Sequence, residues 1–98
     1  MHRFELDLAY TPEEVAAGLE RLFAKRGWAW MRTPAAPGLY VFQLTTADGA
    51  ANLQIQPLPP ERITTGLFPR TLLALRSESA AFESLRREIV LAFLRVMG

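Results

Sequence analysis

The segment that begins at Thr11 constrains the fold of this chain most, because it combines three separate features of a helix start. Thr11 is a preferred N-cap residue, and Pro12 suits the first helical position, where no backbone N–H is needed. Glu14 stands three residues after the cap and can complete a capping box. Apolar residues at helical spacing and a final Gly27 therefore predict a helix over 12–26.

Strict alternation of apolar and polar residues predicts strands before and after this helix. Residues 3–8 place Phe4, Leu6 and Leu8 on one face and charged residues on the other. Further strands are expected at 28–32, 39–45, from the Asp48-Gly49 dipeptide to Pro57, and at 71–76, with a possible short addition at 63–65. Residues 33–38, which contain two prolines, are expected to form a loop.

A second helix is predicted at about 79–97, capped by Ser77 or Ser79. Its buried stripe is expected to contain Phe82, Leu85, Ile89, Phe93 and Val96. The two helices and the strands give the order β-α-β-β-β-β-α. The simplest packing is an α+β two-layer sandwich, in which an antiparallel sheet of four to six strands carries both helices on one face. Residues 1–98 are interpreted as a single domain. This element order is similar to that of helix-grip and TATA-binding-protein-like folds, a similarity of topology that no motif supports.

The Asp48-Gly49 dipeptide suits a type I′ turn between two strands. If these are the two loop residues, apolar residues face one another across the hairpin. The expected pairs are Leu44 with Leu53, Phe42 with Ile55, and Tyr40 with Pro57. On the opposite face, Gln43 would meet Gln54 and Val41 would meet Gln56.

The stretch over 57–70 holds four prolines and is interpreted as the longest irregular segment. It contains Leu67, Phe68 and Arg70. Such residues can insert into a partner, but we expect Leu67 and Phe68 to fold back and close one end of the core.

The residue content excludes most forms of catalysis. The chain has no Cys and a single His, at position 2, so no thiol nucleophile, catalytic triad or His-based metal site is expected. Glycine-rich phosphate motifs are absent. The acidic residues are spread along the chain rather than paired for acid–base chemistry. We therefore predict no enzymatic activity, no metal and no cofactor.

Charge and the N-terminal segment restrict the partners. A net charge of +1 gives little electrostatic attraction to nucleic acid or anionic lipid. Glu5 and Asp7 stand where a signal peptide needs apolar residues, so a soluble, cytoplasmic protein is predicted. All but Lys25 of the eleven basic residues are Arg, a weak indicator of heat tolerance.

The sheet face opposite the helices is the leading candidate for function. Its centre is expected to be rich in amides and poor in charge, which is typical of interfaces. We predict that it mediates association, as a homodimer or with another protein. The predicted binding residues are Met31, Val41, Gln43, Gln54, Gln56, Phe68 and Arg70.

Two alternatives remain open from the sequence. The first is a carrier that holds a small apolar ligand between the sheet and the last helix, lined by Trp28, Trp30, Tyr40, Phe42, Arg86 and Phe93. Against it, Trp28 and Trp30 are expected to fill the core, and Arg86 is expected either to lay its stem along apolar surface with its head group exposed or to pair with Glu83. The second is single-stranded nucleic-acid binding through Arg32, Arg70, Arg76 and any exposed Trp.

Overall fold

The computed structural model describes residues 2–36, 38–63 and 66–97, and its element order is the predicted one. The elements are β1 (His2–Leu8), α1 (Pro12–Arg26), β2 (Ala29–Ala36), β3 (Leu39–Thr46), β4 (Gly49–Ile63), β5 (Gly66–Ser77) and α2 (Ala81–Met97). The strands form one antiparallel sheet in the order β1-β5-β4-β3-β2, so β1 and β2 are its edges. The predicted two-layer α+β fold is confirmed.

Helix α1 has the predicted capping box and both predicted ends. The Glu14 N–H donates to the Thr11 hydroxyl at 3.2 Å, and the Thr11 N–H donates to the Glu14 carboxylate at 3.0 Å. Gly27 ends the helix with a φ of +70°, a left-handed conformation that glycine adopts without strain.

Both helices pack on one face of the sheet around a single apolar core. Helix α1 contributes Val15, Leu19 and Phe23, and α2 contributes Leu85 and Ile89, all completely buried. The sheet contributes Leu8, Phe42, Leu44, Ala51, Leu53, Ile55, Leu73 and Leu75. Every second residue of the central strands is therefore committed to the core, and the residues between them face away from the helices.

The strands are longer than the sequence pattern predicts. Strand β2 continues to Ala36 through the expected loop, and the segment over 57–70 is largely strand rather than irregular. Helix α2 begins at Ala81, whose N–H donates to the Ser79 hydroxyl at 3.2 Å. Pro37, Thr64 and Thr65, on which parts of the loop and short-strand predictions fall, lie outside the described residues, as does the side chain of Val96.

The β3–β4 hairpin has the predicted faces but different partners. Its turn residues are Ala47 and Asp48, so Leu44 faces Ala51, Phe42 faces Leu53, and Tyr40 faces Ile55. Likewise, Val41 faces Gln54 and Gln43 faces Asn52. The predicted register was wrong by two residues, and a shift of two keeps every side chain on its predicted face.

The observed turn is held by Thr46. Its hydroxyl donates to the Gly49 carbonyl and accepts from the Asp48 N–H, both at 3.1 Å. Gly49 becomes the first residue of β4, with a φ of +135°. A Cβ there would lie 2.5 Å from the Ser79 side chain, so the glycine is needed for close contact with the segment before α2 rather than as a turn residue.

Candidate functional site

The candidate site is the sheet face that neither helix covers, which we call the outer face. It consists of the residues that alternate with the core-facing ones in the five strands. Its centre carries no charged side chain and contains Met31, Thr33, Val41, Gln43, Asn52, Gln54, Gln56, Leu72 and Ala74.

Register brings these residues together in rows across the sheet. Met31 lies opposite Gln43, and Val41 lies opposite Gln54. Met31 is 65% exposed, although a methionine side chain gains free energy from burial. The centre of the outer face is therefore a neutral surface of amides interspersed with apolar side chains.

Charged residues of this surface lie on β1 and at the two ends of its neighbour β5, where Arg76 is exposed opposite Asn52, and two pairs of opposite charge form among them. Arg3 forms an ion pair with Glu5, with 2.5 Å between the guanidinium nitrogen and the carboxylate oxygen. Arg70 forms a second ion pair with Asp7 across the β5–β1 boundary. Because both pairs are exposed, each contributes little to stability. Their positions separate a neutral centre from a charged border.

Strands β4 and β5 extend beyond the sheet as a two-stranded arm over 58–70. Leu58 pairs with Arg70, and the pairing resumes toward the tip after an irregularity at which Pro59 and Pro60 lie. Proline lacks the N–H that a ladder needs, so it is tolerated at such an irregularity without ending the strand. Neither β3 nor β1 pairs with this part of the hairpin.

The arm leaves Leu67 and Phe68 on the surface, 62% and 42% exposed. The prediction that they close one end of the core was wrong, because continued β4–β5 pairing carries them away from it. Phe68 alternates with Arg70 and Leu72 along β5 and so continues the outer face onto the arm. The structure thus places all the predicted binding residues along one face: Met31, Val41, Gln43, Gln54, Gln56, Phe68 and Arg70.

The residues proposed to line an internal ligand site are dispersed. The prediction that Trp30 fills the core was wrong: its ring lies on the helix side, 5.7 Å from that of Phe42 between centres, but it is 38% exposed because β2 is an edge strand. Arg86 lies near the opposite edge, over the Phe4 ring of β1, and is hydrogen-bonded to Glu83 as predicted.

Two of the remaining members, Trp28 and Tyr40, also pack rather than enclose a space. Trp28 is half-buried against Phe23, with ring centres 6.3 Å apart. Tyr40 packs against the core edge, beneath the Arg32 guanidinium. Phe93 lies close to Gly18 of α1, and its ring centre is 6.2 Å from that of Tyr10, in the segment before α1.

The three arginines considered for nucleic-acid binding do not form one basic surface. Arg32 lies on the helix side, where it donates to Glu20 of α1 at 2.8 Å. Arg70 and Arg76 lie on the other side, in the outer face. Arg70 is paired there with Asp7.

A groove between α1 and α2 was missed by the sequence reasoning. It has a volume of about 500 Å³ and opens on the side of the helices away from the sheet, between Tyr10 and Phe93 at one end and Arg26 and Glu88 at the other. Gly18, in the interior of α1, was the available signal, because a glycine inside a helix costs stability and often marks close packing.

Two further observations restrict the chemistry of the described residues. None of their His, Asp and Glu side chains form a group of three or more that could hold a metal ion. No helix in the described part of the chain is both long and apolar enough to cross a membrane. In comparisons with known proteins, neither a protein-family model nor a curated protein matches this chain.

Proposed function

We propose that this protein acts by association and forms a homodimer through the outer face of its sheet. The observation that carries the proposal is an uncovered sheet face with a charge-free centre and a largely exposed Met31. Depletion of charge at the centre of a patch, with charges at the border, is the composition of protein interfaces.

A second copy of the chain suits this face because the surface is complementary to itself. Glutamine and asparagine amides both donate and accept hydrogen bonds, so the same patch can pair with itself about a two-fold axis. A neutral centre also avoids the repulsion that a patch of one charge would meet in its own copy. The border contains cations and anions side by side, as Arg3 with Glu5 and Arg70 with Asp7.

The dimensions of the face are sufficient for a dimer. Five strands of about eight residues cover roughly 600 Å² at ordinary strand spacing. Two copies would then bury ~1,200 Å², the lower end of the range for specific, stable interfaces. Phe68 and Leu58 extend the same face onto the arm and enlarge the apolar contact.

The test adds like charges to the centre of the face with the double substitution Gln43→Glu and Gln54→Glu. Size-exclusion chromatography with light scattering at tens of micromolar should give twice the 11.0 kDa chain mass for the wild type. The variant should give the mass of one chain, because the new carboxylates would meet their own copies in a desolvated interface.

A matched control is Ala9→Glu with Ala80→Glu, which adds the same charge at exposed positions outside the strands. This control should remain dimeric. A monomeric wild type, or a dimer that survives Gln43→Glu with Gln54→Glu, would rule out self-association through this face.

A further inference from the structure

The groove between α1 and α2 has an apolar floor. Gly18 and Ala17 of α1 face Ala92 and Phe93 of α2, and Leu22 lies deeper. A Cβ on Gly18 would lie 3.3 Å from the Phe93 ring, so the absence of a side chain at this position lets the two helices approach closely. The small residues leave the space of about 500 Å³, which is within the range of small-molecule sites.

Two cations of α1 border this floor without an acidic partner. Arg21 and Lys25 are one helical turn apart and line the same side of the groove. Neither forms an ion pair with any described residue. The Arg21 guanidinium lies over the floor, 3.8 Å from the position of a Cβ on Gly18.

The two acidic residues of the lining are already engaged. The Glu14 carboxylate accepts the Thr11 N–H of the capping box at 3.0 Å. Glu88 forms an ion pair with Arg26 across the helix pair. Glu14 keeps its negative charge in the capping box, so the lining, with three cations and two carboxylates, has a net charge of +1, and Arg21 and Lys25 are its cations without an ion pair to a described residue.

We propose that this groove binds a long-chain carboxylate, with its chain between the helices and its head group held by Arg21 and Lys25. The lining of α1 runs from Glu14 to Arg26, about 18 Å at the usual helical rise, so an extended acyl chain fits along it. A guanidinium matches a carboxylate in bidentate geometry. A guanidinium also pairs with phosphate, but the net charge of +1 in the lining matches the single negative charge of a carboxylate better than the larger negative charge of a phosphate monoester.

The test titrates the protein with dodecanoate below its micelle-forming concentration, followed by calorimetry and amide NMR spectra. We expect saturable binding of one molecule per chain, with shifts centred on Gly18, Arg21 and Ala92. Arg21→Gln with Lys25→Gln should weaken dodecanoate binding roughly tenfold or more and leave dodecanol binding unchanged. Arg87→Gln, which alters an exposed cation of α2 outside the lining, should have no effect.

A variant that fills the groove tests whether the hydrocarbon chain of the ligand lies there. Ala17 is exposed and lines the groove, so Ala17→Phe should fill the space without disturbing the core and should abolish binding. Ala24→Phe adds the same ring at an exposed position of α1 outside the lining and should bind normally. Absence of saturable binding, or equal binding by these two variants, would overturn the proposal.

Two further measurements test which ligand the groove binds and whether this binding is independent of self-association. Binding of an acidic amphipathic peptide in place of dodecanoate would assign the groove to a protein partner and overturn the small-molecule assignment. The groove opens away from the outer face, so the Ala17→Phe variant should keep the mass of the wild type. Failure of ligand binding can therefore be distinguished from failure of self-association.

Discussion

At the scale of single residues, two glycines with nearly the same backbone conformation form a natural comparison. Gly49 has a φ of +135° and Gly66 a φ of +136°. A Cβ on Gly49 would lie 2.5 Å from Ser79, whereas a Cβ on Gly66 would meet nothing within 4 Å. We expect Gly66→Ala to lower the free energy of unfolding by less than ~1 kcal/mol, because the strain falls in the β4–β5 arm, a two-stranded ribbon that is itself only marginally stable. Gly49→Ala should lower it by about 1 kcal/mol or more beyond that, because Ser79 must move.

Urea unfolding followed by circular dichroism measures this difference. Ser79→Gly alone loses the hydrogen bond that the Ser79 hydroxyl accepts from Ala81, so it serves as the reference, and adding Gly49→Ala to it should cost only the backbone strain. Equal midpoints for the two single variants would show that the segment before α2 yields freely and that the Ser79 contact does not hold the β3–β4 hairpin in register.

The same hairpin shows what a residue pattern can and cannot predict. Alternation assigns Phe42 and Leu53 to the core and Gln43 and Gln54 to the other face, and these assignments were right. Alternation is unchanged by a shift of two residues, so it could not distinguish the predicted pairs from the observed ones. The observed pairs come with contacts that alternation does not contain, namely the Thr46 hydrogen bonds in the turn and the close approach of Gly49 to Ser79, which is far away in the sequence.

At the scale of elements, the β4–β5 arm is the largest difference from expectation. Pro57, Pro59, Pro60 and Pro69 are typical of a loop, and sequence reasoning ended the strand at the first of them. The prolines instead accompany a hairpin that is longer than the sheet, with an irregularity between Leu58 and Glu61. Propensity at single positions could not show that the two strands pair along their length.

The arm should contribute little to folding. In its described residues it supplies no member of the core cluster, and an isolated two-stranded ribbon is only marginally stable. Replacing residues 59–69 by Asn-Gly, which joins the facing pair Leu58 and Arg70 by a two-residue turn, should change the free energy of unfolding by less than ~1 kcal/mol. Urea denaturation monitored by tryptophan fluorescence measures this change in the Gln43→Glu with Gln54→Glu background, where dimer contacts do not contribute, and a loss of several kcal/mol there would mean that the arm supports the core.

At the scale of the whole molecule, the two candidate surfaces lie on opposite sides and differ in how far sequence could predict them. The outer face follows from alternation once the helices are assigned to one side, so Met31 and Gln43 could be predicted as neighbours. The groove depends on how α1 and α2 pack, and that packing depends on Gly18 against Phe93. A hydrophobic stripe predicts that a helix is buried on one side but not which neighbouring helix it meets.

Dimerisation through the outer face would link folding to protein concentration. If the folded chain associates and the unfolded chain does not, each tenfold rise in concentration adds about 1.4 kcal/mol to the apparent stability of the dimer. The melting temperature of the wild type should then rise by a few degrees per tenfold increase. The melting temperature of the Gln43→Glu with Gln54→Glu variant should be the same at every protein concentration. That of the Ala9→Glu with Ala80→Glu control should rise with concentration as steeply as in the wild type. Neither glutamine belongs to the core. The melting temperature of the charged variant should therefore equal that of the wild type extrapolated to low protein concentration. A lower melting temperature would mean that the substitutions damage the fold rather than the association.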